Sequence, residues 1–259
     1  MAVSVGNRLL SIVIPAFNEE RRLPETLKDL GLRLKTEEFR PFVLHEVLIV
    51  DDGSRDRTIE VAESFRDALP MLRVLPTPVN RGKGHAVRTG LKAATGDWAL
   101  IADADMSTPW RELLVLGEAL DRSKAEIAIA SRDLPESNVT RHQSWIRENM
   151  GKTFNLIVRG ITRLPYRDTQ CGFKLVHLVA ARPLLNELQV DRFAWDVEFL
   201  MAAVHHGLPI VEVPVEWSHK EESRVHPVRD AMDMALTVTG LRLRYIWRSR
   251  KDSNLRPTA

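Results

Sequence analysis

The feature of this sequence that most constrains its fold is the alternation of short apolar runs with segments of helical periodicity. Short apolar runs between polar turns are typical of strands buried on both faces, and the helices between them are typical of the crossovers that join parallel strands. The runs lie at residues 10–14, 47–50, 72–75, 98–102 and 127–130. This order predicts an α/β fold with a mainly parallel central sheet flanked by helices.

The segments after several of these runs carry apolar residues at helical spacing. Asp56 is a candidate N-cap for one helix, Gly96 and Gly207 are placed to end two others, and Thr108 with Pro109 predicts a further helix start. The predicted apolar faces are Ile59, Ala62 and Phe65; Val87, Leu91 and Ala94; Phe154, Ile157 and Ile161; and the segment 195–206.

Charge and cysteine content limit the function classes that the chain fits. The 37 Lys and Arg nearly cancel the 35 Asp and Glu of this 259-residue chain, and the net charge of +2 does not indicate a nucleic-acid partner. The single cysteine, Cys171, excludes an internal disulfide and favours a cytoplasmic location. No apolar run reaches the roughly 18 residues of a membrane span. We predict one domain over residues 1–224 and a C-terminal segment of different character over 225–259.

Polar residues that follow the apolar runs are the candidates for a site, because open parallel sheets bind ligands beyond the carboxyl ends of their strands. Residues 15–20 offer an aromatic ring and carboxylates, and residues 51–56 offer carboxylates for a base or a ribose; each also fits a turn with a helix cap. Residues 80–85 place cations among glycines ahead of a helix, where a diphosphate can approach closely. Their spacing matches neither a Walker loop nor Gly-x-Gly-x-x-Gly, which disfavours an ATPase or a dehydrogenase.

The motif Asp103-Ala104-Asp105 directly follows the run 98–102. Two carboxylates two residues apart at a strand end can both reach one hard cation that phosphate oxygens also bind, although the motif in isolation also fits a turn with an Asp cap. Such a cation neutralises the charge that develops on a departing nucleoside diphosphate. We therefore predict a site for one hard divalent cation at these two residues.

Taken in order, these motifs resemble family 2 glycosyltransferases of the GT-A fold, a Rossmann-like fold that binds nucleotide-diphospho-sugars. The resemblance rests on residues 13–20, 51–54, 80–84 and 103–105, and segments 167–174, 195–198 and 223–224 look like the dolichyl-phosphate β-glucosyltransferase branch. It implies a transfer of glucose from UDP-glucose to a polyprenyl phosphate. A GDP-mannose or other donor, a soluble saccharide acceptor, and a nucleotide-sugar binding module without catalysis remain alternatives.

The resemblance also implies roles for individual residues. The positions that match the donor site are Pro15, Phe17, Glu19, Asp52, Lys83, Asp103 and Arg224. The implied ligands of a Mg²⁺ or Mn²⁺ ion are Asp103 and Asp105, with Ser107 as a candidate further ligand. Arg132 and Arg147 match positions that meet an acceptor phosphate in related polyprenyl-phosphate mannosyltransferases. Asp168, Asp196 and Glu198 are candidates for orienting the acceptor or supporting this pair of cations, and Asp168 and Asp196 also fit a turn cap and a helix start.

The implied chemistry inverts the anomeric carbon by in-line attack of the acceptor. A phosphate monoester, whose second pKa is about 6, is already largely dianionic at neutral pH, so its oxygen needs no strong general base.

The C-terminal segment is predicted to be an interfacial helix that holds the enzyme at the cytoplasmic face of a membrane. Apolar residues recur there at steps of three and four, and basic residues follow them. The stripe is Val228, Ala231, Ala235, Val238, Leu241 and Tyr245, with Met232, Leu236 and Trp247 beside it and Arg242, Arg244, Arg248, Arg250 and Lys251 at its end. Packing of this stripe against the protein's own core is the alternative.

Overall fold

The structure, a computed structural model, describes residues 7–34, 38–141, 155–220 and 234–246. Within them the central element is a seven-stranded sheet of order β3-β2-β1-β4-β7-β5-β8, and β6 pairs with β9 in a separate two-stranded sheet. The strands are β1 (Arg8–Ala16), β2 (Phe42–Asp51), β3 (Leu72–Pro76), β4 (Trp98–Ile101), β5 (Ile127–Ser131), β6 (Asn138–Arg141), β7 (Lys174–His177), β8 (Ile210–Pro214) and β9 (Glu216–Ser218).

Helices follow most of these strands and cover the sheet. They are α1 (Leu23–Leu34), α2 (Thr58–Glu63), α3 (Lys83–Ala93), α4 (Glu112–Ser123), α5 (Leu178–Leu185) and α6 (Trp195–His205), and residues 155–162 and 234–246 are also helical. The N-cap of α2 is Arg57, one residue later than the predicted Asp56, although Asp56 Oδ1 accepts the backbone N–H of Thr58, the first residue of the helix, at 3.0 Å. In the part of the chain that the structure describes, no helix combines the length and apolar character needed to span a bilayer.

The predicted mainly parallel sheet is confirmed, with one exception that matters for the site. Strands β3, β2, β1 and β4 are parallel, and so are β5 and β8, but β7 runs antiparallel to both of its neighbours. Because Lys174, the first residue of β7, lies opposite Ile101, the last residue of β4, the segment just before β7 arrives at the edge where the other strands end. Sequence periodicity did not identify β7.

Two apolar clusters form the core, one on each face of the sheet. Ile12 and Ile14 of β1 enter the first cluster and Val13 between them enters the second, because successive strand residues point to opposite faces. Gly90 lets α3 approach the sheet closely, since a Cβ at this position would lie 2.3 Å from the Val13 side chain.

Two predicted apolar faces need correction. In the helical residues 155–162 it is Val158 that is fully buried, whereas Ile157 is 45% exposed, so the buried face is rotated from the predicted one. In residues 234–246 the side chains of Val238, Leu241 and Tyr245 belong to the second core cluster. The prediction that these three residues face lipid is wrong, because the core already buries them.

Candidate active site

An open cleft of about 560 Å³ lies at the carboxyl edge of β1, β2 and β4. The loops after these strands and the start of α3 form one wall, and the segment that leads into β7 forms another. The predicted residues that line it are Pro15, Phe17, Glu19, Asp52, Lys83, Asp103, Asp105, Ser107 and Arg132. The tertiary fold thus brings nine residues from separate parts of the chain into one cleft.

Asp52 shapes the loop that precedes α3. Its buried carboxylate accepts the backbone N–H groups of Arg81, at 3.1 and 3.2 Å, and Gly82, at 2.6 Å. Gly53 has a φ of +72°, and a Cβ there would lie 2.7 Å from the backbone nitrogen of Asn80, so this turn requires glycine. Asp52 therefore holds the loop at residues 80–82 against the carboxyl end of β2.

A lysine and an aspartate form the central ion pair of the cleft. Lys83 Nζ lies 2.5 Å from Asp103 Oδ1. Burial by itself lowers the pKa of Lys83, but the carboxylates of Asp103, Asp196 and Asp105 raise it above its ordinary value. Burial likewise raises the pKa of Asp103, but Lys83, Lys174 and Arg132 together lower it below its ordinary value. Both groups are therefore charged near neutral pH, and the ammonium is placed to meet an anion that enters the cleft.

The second oxygen of Asp103 faces a glycine. A Cβ on Gly172 would lie 2.1 Å from Asp103 Oδ2, so no side chain fits between this oxygen and the segment before β7. Asp105 is held differently, because its Oδ1 accepts both the backbone N–H of Ser107, at 3.0 Å, and its hydroxyl, at 2.9 Å.

Arg22 links the first loop to this carboxylate pair. Its Nε donates to Glu19 Oε2 at 2.6 Å, and its Nη1 lies 3.5 Å from Asp105 Oδ2. Sequence reasoning missed Arg22, although its spacing of three from Glu19 on a helical turn was a usable signal.

Arg132 and Asp168 form a bidentate pair across the cleft wall. The guanidinium donates from Nε to Oδ2 at 2.6 Å and from Nη2 to Oδ1 at 2.9 Å, and its carbon lies 5.5 Å from the Trp217 ring centroid. Burial raises the pKa of Asp168, but the charge and hydrogen bonds of Arg132 and the backbone N–H groups together lower it by more, to about 2. This pairing leaves the Nη1 amino group of Arg132 outside the fork. Asp168 is thus an orienting partner of Arg132 and also a turn cap for Gln170.

Asp196 lies beneath the site in a buried ion pair. Lys174 is fully buried, its Nζ donates to Asp196 Oδ1 at 2.5 Å, and the Cys171 carbonyl accepts a second bond from the same Nζ. Burial raises the pKa of Asp196 by more than Lys174 and Lys83 lower it. Because neither member of this pair lines the cleft, Asp196 supports the site from below.

Glu198 does not reach the cleft. Its Oε2 accepts the backbone N–H groups of Gln189 and Val190, and its Oε1 accepts a bond from Arg244 at 2.9 Å. It therefore ties α6 to a loop and to the helical residues 234–246, and the hypothesis that it orients the acceptor is not supported. Arg147 and Arg224 lie outside the described residues.

The structure adds cleft residues to which the sequence analysis gave no role. They are Arg22, Gln170, Arg192, Phe193, Trp217, His219 and Lys220. Most come from irregular segments after residue 165, whose position depends on the antiparallel strand β7 and on β8. Among the described residues no group of three or more His, Cys, Asp or Glu side chains is arranged to hold a metal, so a cation here would take two protein carboxylates and further ligands from elsewhere.

The chain is similar in sequence to known proteins over most of its length. The family model described as "Glycosyl transferase family 2" matches residues 11–180. The chain is 32% identical over 250 residues to a dolichyl-phosphate β-glucosyltransferase of Dictyostelium discoideum, covering 93% of this chain and 76% of the relative. It is 36% identical over 250 residues to the enzyme of that name from Drosophila melanogaster, covering 92% and 77%.

The fold is also similar to that of a solved bacterial enzyme. Glucosyl-3-phosphoglycerate synthase from Mycobacterium tuberculosis, crystallised with Mn²⁺, UDP and glucosyl-3-phosphoglycerate, superposes with a TM-score of 0.62 at 19% identity. The match covers 92% of this chain and 80% of that one. At this identity the likeness extends to the fold, which is GT-A.

Proposed function

The chain belongs to glycosyl transferase family 2 and is a glycosyltransferase, and from this premise we propose that it transfers glucose from UDP-glucose to a dolichyl-type polyprenyl phosphate. The relatives named above support the acceptor and the sugar, and the UDP in the crystallised neighbour supports the nucleotide. The observation that carries the proposal is a cleft that gathers two carboxylates, Asp103 and Asp105, and two cations, Lys83 and Arg132. This charge pattern suits a reaction between two phosphate-bearing substrates.

On this proposal the donor lies along the carboxyl edge of the sheet. Pro15, Phe17 and Asp52 lie where the nucleoside would bind, and Lys83 lies where the diphosphate would bind. The ammonium of Lys83 would exchange part of its pairing with Asp103 for the phosphate oxygens, so a positive charge is already in place when negative charge develops on the leaving diphosphate. Arg224 lies outside the described residues, and its role over the donor stays a prediction.

The carboxylates of Asp103 and Asp105 fit a divalent cation. Both are oxygen ligands that Mg²⁺ and Mn²⁺ accept, and the absence of a side chain on Gly172 makes room for the carboxylate of Asp103. Such a cation, when bound, supplies Lewis-acid stabilisation of the leaving diphosphate. Ser107 already donates to Asp105, which suits a residue that orients this ligand better than one that binds the cation itself.

The acceptor phosphate is expected at Arg132, with Arg147 as its predicted partner. Asp168 locks the Arg132 fork, so the guanidinium presents its remaining N–H groups in a fixed direction. The phosphate dianion attacks the anomeric carbon in line, and the product is β-linked if the donor is α-linked. No residue has to remove a proton in this step, since the attacking oxygen is already anionic.

We further propose that the enzyme works at a membrane surface, because its acceptor is a lipid. Val238, Leu241 and Tyr245 do not contribute to this membrane contact, because they are buried in the core. It rests instead on the opposite face of residues 234–246, where Leu236 is 74% and Leu243 is 65% exposed. Their spacing of seven places both on one side of the helix. The basic end of the segment lies outside the described residues.

The test is a matrix of donors and acceptors with purified protein. UDP-glucose, UDP-GlcNAc and GDP-mannose are each offered with dolichyl phosphate, with dolichol and with 3-phosphoglycerate, in Mg²⁺, Mn²⁺ or chelator. We expect turnover only for UDP-glucose with dolichyl phosphate, and only with a divalent cation. Asp103→Asn and Asp105→Asn should each lower kcat by about 100-fold or more.

Each other outcome has a defined meaning. Turnover with GDP-mannose would contradict the donor, turnover with 3-phosphoglycerate would indicate a soluble phosphorylated acceptor, and full activity in chelator would contradict the metal. Turnover with dolichol would require a general base and would contradict the argument from the phosphate dianion.

A further inference from the structure

Gln170 lines the cleft and carries a polar side-chain atom that has no hydrogen-bond partner among the described residues. Its amide nitrogen Nε2 is buried and makes no hydrogen bond within the part of the chain that the structure describes. The residue lines the cleft together with Arg132 and Asp103. A buried amide without a partner costs free energy, and in folded proteins such groups are usually satisfied by water or by a ligand. Because Gln170 lines the cleft, a ligand bound there is one group that can supply the missing partner.

The backbone of Gln170 is held firmly, so its side chain has a defined origin. Its N–H donates to Asp168 Oδ1 at 3.0 Å, the oxygen that also accepts Nη2 of Arg132. Two residues further on, Gly172 packs against the carboxylate of Asp103. Gln170 thus lies between the cation expected at the acceptor phosphate and the carboxylate expected at the donor diphosphate. Between those two groups the reaction holds the sugar.

We infer that Gln170 is a specificity-determining residue whose side-chain amide donates a hydrogen bond to a hydroxyl of the transferred sugar. The inference rests on the proposed function. A neutral amide is matched to a neutral hydroxyl, whereas the phosphates on either side are matched to the charges of Lys83 and Arg132. A buried N–H that reads a hydroxyl discriminates against a donor without it, because the N–H would then stay unpaired.

Two substitutions and a matched control test this role. Gln170→Met removes the amide at similar length, Gln170→Glu keeps the shape but replaces the N–H donor by an oxygen, and Gln189→Met changes an exposed glutamine. For each protein, kcat/KM is measured with UDP-glucose and with its 2-, 3-, 4- and 6-deoxy analogues at saturating dolichyl phosphate. UDP affinity is measured by calorimetry.

We expect both Gln170 variants to lower kcat/KM for UDP-glucose by about 10- to 100-fold, with the acceptor KM and UDP affinity unchanged. One deoxy donor should be used poorly by the parent and should show no further loss in the variants. That pattern couples the amide to one hydroxyl, which a merely structural role would not do. Gln189→Met should behave as the parent throughout.

An equal loss with every donor, or a change confined to the acceptor KM, would overturn the inference. Should Gln170→Met weaken UDP binding, Gln170→Glu carries the comparison because it preserves the volume. If the parent protein prefers another nucleotide sugar, the proposed donor is wrong, and the same deoxy series on that sugar still decides the role of Gln170.

Discussion

Replacing Asp168 by asparagine tests the ion pair that orients Arg132. Asp168 is fully buried and its carboxylate accepts two bonds from the guanidinium and three from backbone N–H groups. Asparagine has nearly the same shape but only one acceptor oxygen and no charge. The substitution therefore leaves packing largely intact and removes the partner that neutralises Arg132.

The size of the effect follows from the pKa of Asp168, which is about 2 in the folded protein against an ordinary value of 3.8. A carboxyl group whose pKa is lower in the folded than in the unfolded protein stabilises the fold. This stabilisation is fully present above the unfolded-state pKa and is lost as the pH falls through the folded-state pKa. The shift corresponds to about 2 to 3 kcal/mol at pH 7, of which about 1 kcal/mol is lost by pH 3.

Urea unfolding of the parent, Asp168→Asn and the exposed control Asp67→Asn, followed by circular dichroism from pH 7 to pH 3, measures this gap. We expect Asp168→Asn to be less stable by about 2 to 3 kcal/mol at pH 7, with the gap narrowing towards pH 3. Asp67→Asn should follow the parent. A gap that stays constant between pH 5 and pH 3, or no gap at all, would refute the account of Asp168 as an ionised partner of Arg132.

Gly172→Ala places a Cβ 2.1 Å from Asp103 Oδ2 and must displace that carboxylate, so we expect kcat to fall by about 100-fold; a fully active, normally folded variant would contradict the proposed position of Asp103. In the helical residues 234–246, Leu241→Ala should lower the free energy of unfolding by about 2 to 5 kcal/mol without changing co-sedimentation with anionic vesicles. The double variant Leu236→Gln with Leu243→Gln should lower co-sedimentation with anionic vesicles and leave the free energy of unfolding unchanged. Equal vesicle binding by the parent and the double variant would contradict a membrane contact through these leucines.

Much of the first half of the chain was predictable because its signals are local. The strands β1 to β5 each contain an apolar run. Because Ile12, Val13 and Ile14 are all apolar and successive strand residues point to opposite faces, the sequence indicates a strand that is buried on both faces of the sheet. Since parallel strands end at one edge, the polar residues after them had to converge there. Asp103 and Asp105 were identified in this way, and the order and spacing of the motifs supplied the family resemblance that implied roles for Asp52 and Lys83.

The second half depended on contacts between distant residues. Strand β7 runs antiparallel between β4 and β5, which the sequence order alone did not reveal, and this reversal is what carries Gln170 and Gly172 into the cleft. The pairing of Arg132 with Asp168, 36 positions apart, follows from the same reversal.

The sequence by itself determined the strands β1 to β5, the helices that join them and the polar residues that follow the strands, because periodicity and strand-end motifs lie within short segments. Only the tertiary structure decided which face of an amphipathic helix is buried and which partner each carboxylate binds. The stripe of Val238, Leu241 and Tyr245 fits lipid or core equally well on its pattern, and burial in the second core cluster settled it. Asp196 and Glu198 are close neighbours on α6, yet one pairs with buried Lys174 and the other with Arg244, since their partners come from remote parts of the chain.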